Sequence, residues 1–288
     1  MDHARPWAPA VRQGRLAAMT ERIPPTPAAS PWVEIDGRAA GAQDLVPVLA
    51  GYGHFTAMQV RGGRVRGLRR HLERLDGASR ELFAAGLDGE RVRAHVRHAL
   101  DGAGRADASV RVNVFQPVDE PGGPVAVVVA VRPPAAMPPG PYRVKSVPYQ
   151  RPAAHLKHVG GFGQAYFGRQ VAAEGYDEAL LVGPDGEIAE GAITNIGFVA
   201  ANAVVWPQAP HLRGITLQVL EEALDGAGIA QSRRPLRLAD VDRYDGAFLI
   251  NSRGTALISR IDGTPVPTTA ELLPRIGELY ASVPWDVI

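Results

Sequence analysis

Residues 151–199 read RPAAHLKHVGGFGQAYFGRQVAAEGYDEALLVGPDGEIAEGAITNIGFV, and HLRGITLQ follows at 211–218. GFGQAYFGRQVAAEG is a glycine-bearing helical stretch, and DEALLVGPDGEIAEG is a hairpin that turns at Pro184, Asp185 and Gly186. TNIGFVAANAVVWP supplies two short strands, and GITLQVLEEALDGAG is a helix opened by Gly214 and closed by glycine. Downstream, GAFLINSRGTALISRIDG reads as strands and residues 270–282 as a terminal helix. Upstream, YRVKSVPY is a strand. Before it, PPAAMPPGP at 133–141 holds five prolines in nine residues, an extended and stiff connection.

The first half of the chain mixes the same elements in another order. WVEIDGRAA is a strand, a turn at Asp36 and Gly37, and a return; HFTAMQVRGGRVRGL is a hairpin around Gly62 and Gly63. RRHLERLDGASRELFAAG carries Leu72, Leu75 and Leu82 at helical spacing, and ERVRAHVRHALDGAG is a second helix. SVRVNVFQP and GPVAVVVAVRPP are two more strands. The fold class is therefore α+β. The expected organisation is a flexible tail at 1–30, a small N-terminal domain at 31–134, a linker at 135–142 and a larger domain at 143–288; Met19 is an alternative start within the tail.

Composition narrows the function. The 288 residues are 45% hydrophobic, enough for a real core, and the formal net charge is +1. No basic surplus points to nucleic acid or an anionic membrane. Without cysteine there is no disulfide, thiolate metal site or cysteine nucleophile. The longest apolar run, Val125–Val131, is far too short to span a bilayer, and MDHARPWAPAVRQGRL lacks the apolar core of a signal peptide, so a cytoplasmic protein is expected. Nucleophile-elbow, P-loop and H-E-x-x-H motifs are absent. His95 and His98 lack a third ligand nearby in sequence, so no metal is expected.

Of 31 basic residues, only Lys145 and Lys157 are lysines. A lysine kept in such an arginine-rich chain is a candidate for amine chemistry, because lysine can deprotonate and arginine cannot. Lys157 precedes two glycines, Glu190 ends a hairpin, and Gly214, Ile215 and Thr216 open a helix whose free N–H groups suit an anion. An amine, a carboxylate and a helix N-terminus are what a pyridoxal phosphate enzyme must supply. A surface lysine, a hairpin glutamate and an ordinary helix start would read the same way.

The order LKHVGGFGQ, GYDEALLV, DGEIAEGAITNIGF, LRGIT, NSRGT resembles the fold-type IV (class IV) pyridoxal-phosphate-dependent aminotransferases, a family that includes branched-chain and D-amino acid aminotransferases and aminodeoxychorismate lyases. HLERL resembles its H-x-x-R-L element, and the likeness spans residues 32–263. It implies a two-domain fold with a small α/β N-terminal domain and a C-terminal pseudo-barrel, pyridoxal 5'-phosphate as cofactor, and a homodimer. It implies Lys157 as Schiff-base lysine and general acid/base, Glu190 against the pyridine nitrogen, and Arg74, Gly214, Ile215 and Thr216 around the phosphate. Leu212 would pack on the ring, Thr194 and Asn195 would lie in the cofactor shell, and Thr255 would come from a second phosphate loop within Ser252, Arg253, Gly254 and Thr255.

The implied activity is amino transfer between an amino acid or amine and a 2-oxo acid. A lyase of the aminodeoxychorismate type and a degenerate non-catalytic member are the alternatives. Three departures leave the subfamily open. Phe162 stands where branched-chain enzymes carry tyrosine, VFQPVDEPGG lacks the R-x-H trap of the D-amino acid enzymes, and Thr56 replaces a usual glutamate. Arg111 and Gln116 are candidates for binding a substrate carboxylate, and His155 and His158 for tuning Lys157.

Overall fold

A computed structural model describes residues 30–116, 122–138 and 140–288. The tail assigned to residues 1–30 lies outside them except for Ser30, as does the turn at 117–121. In chain order the elements are β1 (Trp32–Ile35), β2 (Arg38–Ala39), α1 (Leu45–Leu49), β3 (Gly53–Val60), β4 (Arg64–Val65), α2 (Leu68–Phe83), α3 (Gly89–Gly102), β5 (Ala108–Phe115) and β6 (Ala126–Arg132). There follow β7 (Tyr142–Pro148), α4 (Phe162–Ala173), β8 (Glu178–Val182), β9 (Ile188–Gly191), β10 (Asn195–Ala200), β11 (Ala203–Pro207) and α5 (Ile215–Gly226). The last are β12 (Gln231–Arg234), β13 (Gly246–Asn251), β14 (Gly254–Ile261), β15 (Thr264–Pro265), α6 (Leu272–Ser282) and β16 (Asp286–Val287).

The N-terminal sheet runs β2-β1-β6-β5-β3, antiparallel throughout. Alternation along β5 and β6 puts Val110, Val112, Val114, Val127, Val129 and Val131 on one face. α2 and α3 cover it with Leu75, Phe83, Val92, Val96 and Leu100, burying one core. Glu34 of β1 also reaches His98 Nδ1 at 2.8 Å, a carboxylate that sequence distance concealed.

The C-terminal sheet runs β12-β11-β10-β13-β14-β7-β8-β9, with β15 on β14. β7 is parallel to both β14 and β8. The curling sheet brings β9 back beside β10 as a half-barrel. β8, β9 and most of β10 are buried on both faces, as expected for strands with a core on one side and helices or a cavity on the other. One core fills the curl, and another packs α5 and α6 against Trp206, Phe248 and Ile250.

The C-terminus returns to the first sheet. β4, expected to zip along β3, shares with it only an Arg61–Arg64 bridge and pairs instead with β16. Ile288 is buried in the N-terminal core. Gly67 gives α2 no capping side chain, and Asp286 supplies the cap, accepting from Leu68 N–H at 2.8 Å. Losing an N-cap acceptor costs about 1 kcal/mol. Asp286→Ala should therefore lower the thermal midpoint by roughly 2–4 °C, and Asp286→Asn should recover most of it; calorimetry showing an unchanged Asp286→Ala midpoint would remove this cap from the account.

Candidate active site

Between the two sheets lies a cavity of about 530 Å³. Lys157 reaches it from the loop between β7 and α4. The lysine's segment is clipped to the start of β3, with Phe55 N–H donating to Lys157 O at 2.8 Å and Val159 N–H to Gly53 O at 2.9 Å. Nζ lies 4.9 Å from the centroid of the Phe55 ring. Burial, with Arg74, Arg151 and Arg111 adding repulsion, holds the amine down to about 7 against the pull of Glu190.

Glu190, in β9, faces the same cavity. Its Oε1 accepts from Arg151 Nη1 at 2.9 Å and its Oε2 from Leu212 N–H at 3.2 Å, and two oxygens have lone pairs left over. Burial pushes its carboxyl above the ordinary value, and Arg151 opposes the shift. Arg151 is itself buried and also donates to Ala154 O at 3.2 Å and Leu156 O at 2.8 Å.

The N-terminus of α5 also lines the cavity. α5 begins at Ile215 with no side-chain cap, so its first N–H groups are free of intrahelical partners. Asn195 Nδ2 donates to Leu212 O at 2.7 Å, and a Cβ on Gly214 would overlap Asn195 Oδ1. In the E-G-A-x-x-N turn, a Cβ on Gly191 would likewise overlap Thr194 Oγ1, so the approach of these strands requires glycine.

From α2, Arg74 Nη2 donates to Thr56 Oγ1, and Thr56 Oγ1 lies 2.6 Å from His71 Nδ1. Arginine can only donate, so Thr56 Oγ1 accepts from Arg74 and keeps a proton and a second lone pair for the bond to His71 Nδ1. Burial, reinforced by Arg74 and Lys157, holds the His71 imidazole well below its ordinary value. Arg74 Nε and Thr194 Oγ1 are buried with no partner among the described residues.

Arg74, Lys157, Glu190, Thr194, Asn195, Leu212, Gly214, Ile215 and Thr216 thus line one cavity. Thr255 does not: it pairs with Ile250, whose side chain packs in the α5–α6 core, and its Oγ1 points to Gly277 of α6. The β13–β14 turn instead presents Asn251, Ser252 and Arg253. Arg111 lines the cavity, its Cζ 3.5 Å from the Phe55 ring centroid, whereas Gln116 turns away to donate to Gly123 O at 2.9 Å. His155 pairs with Glu81 at 2.8 Å, and His158 with Pro152 O at 3.0 Å. Lys145 lies 4.0 Å from Glu174, outside the cavity. Sequence reasoning missed Arg151; its one signal was a basic residue closely preceding a catalytic-type lysine.

A half-barrel sheet, a smaller sheet covered by two helices and a lysine–carboxylate cavity between them define the fold-type IV architecture. The family model for amino-transferase class IV matches residues 53–261, and the chain belongs to that family. A "Probable branched-chain-amino-acid aminotransferase" of Rickettsia felis is 35% identical over 96 residues, 33% of this chain and 32% of that protein. The chain thus matches only about a third of that curated relative's length.

Two solved structures share the fold. A hypothetical aminotransferase from Mycobacterium tuberculosis, in a PLP-bound form, superimposes with a TM-score of 0.76 at 23% identity, covering 87% of this chain and 98% of that one. The branched-chain aminotransferase of Thermoproteus uzoniensis with norvaline gives a TM-score of 0.77 at 23% identity, covering 86% of this chain and 93% of that one.

The Arg74–Thr56–His71 chain can be tested without any ligand. Thr56→Val keeps the shape but strands a buried imidazole nitrogen and a guanidinium N–H, which costs about 1–3 kcal/mol. Urea denaturation should show that loss and its recovery in Thr56→Ser; a Thr56→Val protein of undiminished stability would disprove the hydrogen-bond assignment.

Proposed function

We propose that this chain is a pyridoxal 5'-phosphate-dependent transaminase that moves an amino group between an amino acid or amine and a 2-oxo acid. The observation that carries the reading is one cavity holding an amine lowered to about 7, a buried carboxylate and an uncapped helix N-terminus beside a buried arginine. The unpartnered Arg74 Nε and the free first-turn N–H groups of α5 fit the cofactor's phosphate. When bound, the cofactor supplies an aldehyde for the amine and a ring that accepts electrons.

The residues divide the work. Arg74, Ile215 and Thr216 would hold the phosphate, with Asn251 and Ser252 in the place expected for Thr255. Gly214, Thr194 and Asn195 would shape the cup, and Leu212 would pack on the ring. Glu190 would pair with the ring nitrogen. Lys157 would supply the amine that holds the aldehyde and, once displaced by the substrate's amine, would carry the substrate's proton as a neutral base. Arg111 stands over Phe55 in reach of a substrate carboxylate.

Three wider expectations belong with this reading. The division at 31–134, 135–142 and 143–288 is supported by two sheets with their own cores, although Ile288 joins the N-terminal one. A homodimer is supported by exposed Phe162, Tyr166 and Ile193 near the cavity mouth, at 81%, 52% and 61% exposure; gel filtration tests it. A cytoplasmic location is tested by fractionation.

Two measurements bear on the chemistry. Lys157→Ala should abolish both the visible absorbance of the cofactor-loaded protein and the half-reaction with any amine; absorbance retained in the variant would refute the assignment. Only the neutral amine attacks an aldehyde, so cofactor uptake by the stripped protein should accelerate as pH rises through about 7. A stopped-flow profile still climbing at pH 9 to 10, the range of an ordinary lysine, would contradict it. Half-reactions with L-, D- and non-α amines and with aminodeoxychorismate separate the transaminase from the lyase.

A further inference from the structure

Arg151 has no part in the roles assigned above, yet its side chain is among the least exposed charged groups at the site, at 5%. Its guanidinium spans two elements. Nη1 holds Glu190 Oε1 at 2.9 Å, and Nη2 holds Leu156 O, the carbonyl immediately preceding Lys157, at 2.8 Å. Nη1 also reaches Ala154 O at 3.2 Å, so the loop 151–157 folds back on its own arginine. Lys157, by contrast, makes no ion pair among the described residues, although Glu190 lines the same cavity.

Two cations therefore compete for one buried carboxylate. The planar fork of Arg151 wins through geometry, since its second nitrogen has a carbonyl to bond while the first holds the acid. We propose that Arg151 is the positioning residue of this site: it holds Glu190 away from Lys157 and, through Leu156 O, fixes the backbone that presents the lysine. The inference deepens the proposed function and rests on it for cofactor binding alone; the effect on Lys157 is a property of the chain by itself.

The charged and titratable groups facing Lys157 are Arg74 and His71 from α2, Arg111 from β5, Arg151 from the loop after β7 and Glu190 from β9. Removing the charge of Arg151 deletes one repulsion and frees Glu190 to pair with the ammonium. Both changes favour the protonated lysine, so its titration midpoint must rise.

The chain has only two lysines, which makes the measurement clean. The full-length protein, dialysed free of cofactor, is labelled with trinitrobenzenesulfonate across a pH series, and peptide mass spectrometry reads Lys157 against Lys145 as internal reference. In Arg151→Gln the Lys157 midpoint should rise by about one unit or more, and in a Glu190→Gln background the same change should raise it less. An unmoved midpoint in folded Arg151→Gln, or an equal rise in both backgrounds, overturns the proposal.

Should Arg151→Gln fail to fold, Arg151→Lys serves, keeping the charge and losing the fork. It should leave the midpoint within about half a unit while weakening pyridoxal phosphate binding about tenfold; wild-type affinity would overturn the positioning role. A wild-type chain that takes up no pyridoxal phosphate would instead sink the proposed function, leaving the labelling result to stand or fall separately.

Discussion

Crowding like charges into one cavity with buried walls is the constraint from which this site follows. Arg74, Arg111, Arg151 and Lys157 share its walls with a single carboxylate, Glu190. Such a cluster persists in a folded protein only if charge is removed or compensated. Arginine keeps its proton at any accessible pH, so the group that can shed charge is the lysine. What remains, Arg74 beside the N-terminus of α5, can be compensated by an anion from outside. A lysine that sheds its proton near neutrality and an uncapped helix start with a buried arginine in the same walls both answer that single electrostatic problem.

The fold makes this crowding tolerable by pinning every participant from a different direction. The lysine segment is hydrogen-bonded to β3, Glu190 to the backbone of Leu212, and Arg74 to Thr56. The cavity's outer wall depends on the C-terminus. Arg66 stacks on Tyr280 and Trp285, with Cζ 4.7 Å and 4.1 Å from the ring centroids, and donates to Ala281 O at 2.8 Å and Val283 O at 3.1 Å. All three side chains line the cavity, so the C-terminal segment both caps α2 through Asp286 and walls the chamber through Tyr280 and Trp285.

Local signals made the central part legible from sequence. Lys157 stood out because lysine is so rare here, and Gly214, Ile215 and Thr216 because a helix start announces itself through glycine and a following apolar pattern. The α+β class and the strand pairs beyond β7 followed from alternation and turns. What escaped was long-range. Arg151 is one arginine in a chain crowded with them, and its partner lies 39 residues away. The pairing of β4 with β16 joins Val65 to Asp286, far apart in the chain, which no periodicity encodes. Thr255 was misplaced by the two-residue turn at Ser252 and Arg253. A shift along a strand exchanges the cavity face for the core face, and the motif alone does not fix the register.

The same hydrogen bonds constrain how a proton could move during the proposed reaction. Among the described residues, the titratable groups that border the cavity besides Tyr280 and the arginines are His71, Lys157, His158 and Glu190. The Nδ1 of His71 is taken by Thr56, and burial keeps the ring neutral. His158 is engaged with Pro152 O, and Glu190 accepts from Arg151 and Leu212 N–H. Lys157 alone combines freedom from such bonds with an affinity near neutrality. In the proposed reaction one amine would then both take the proton and give it back.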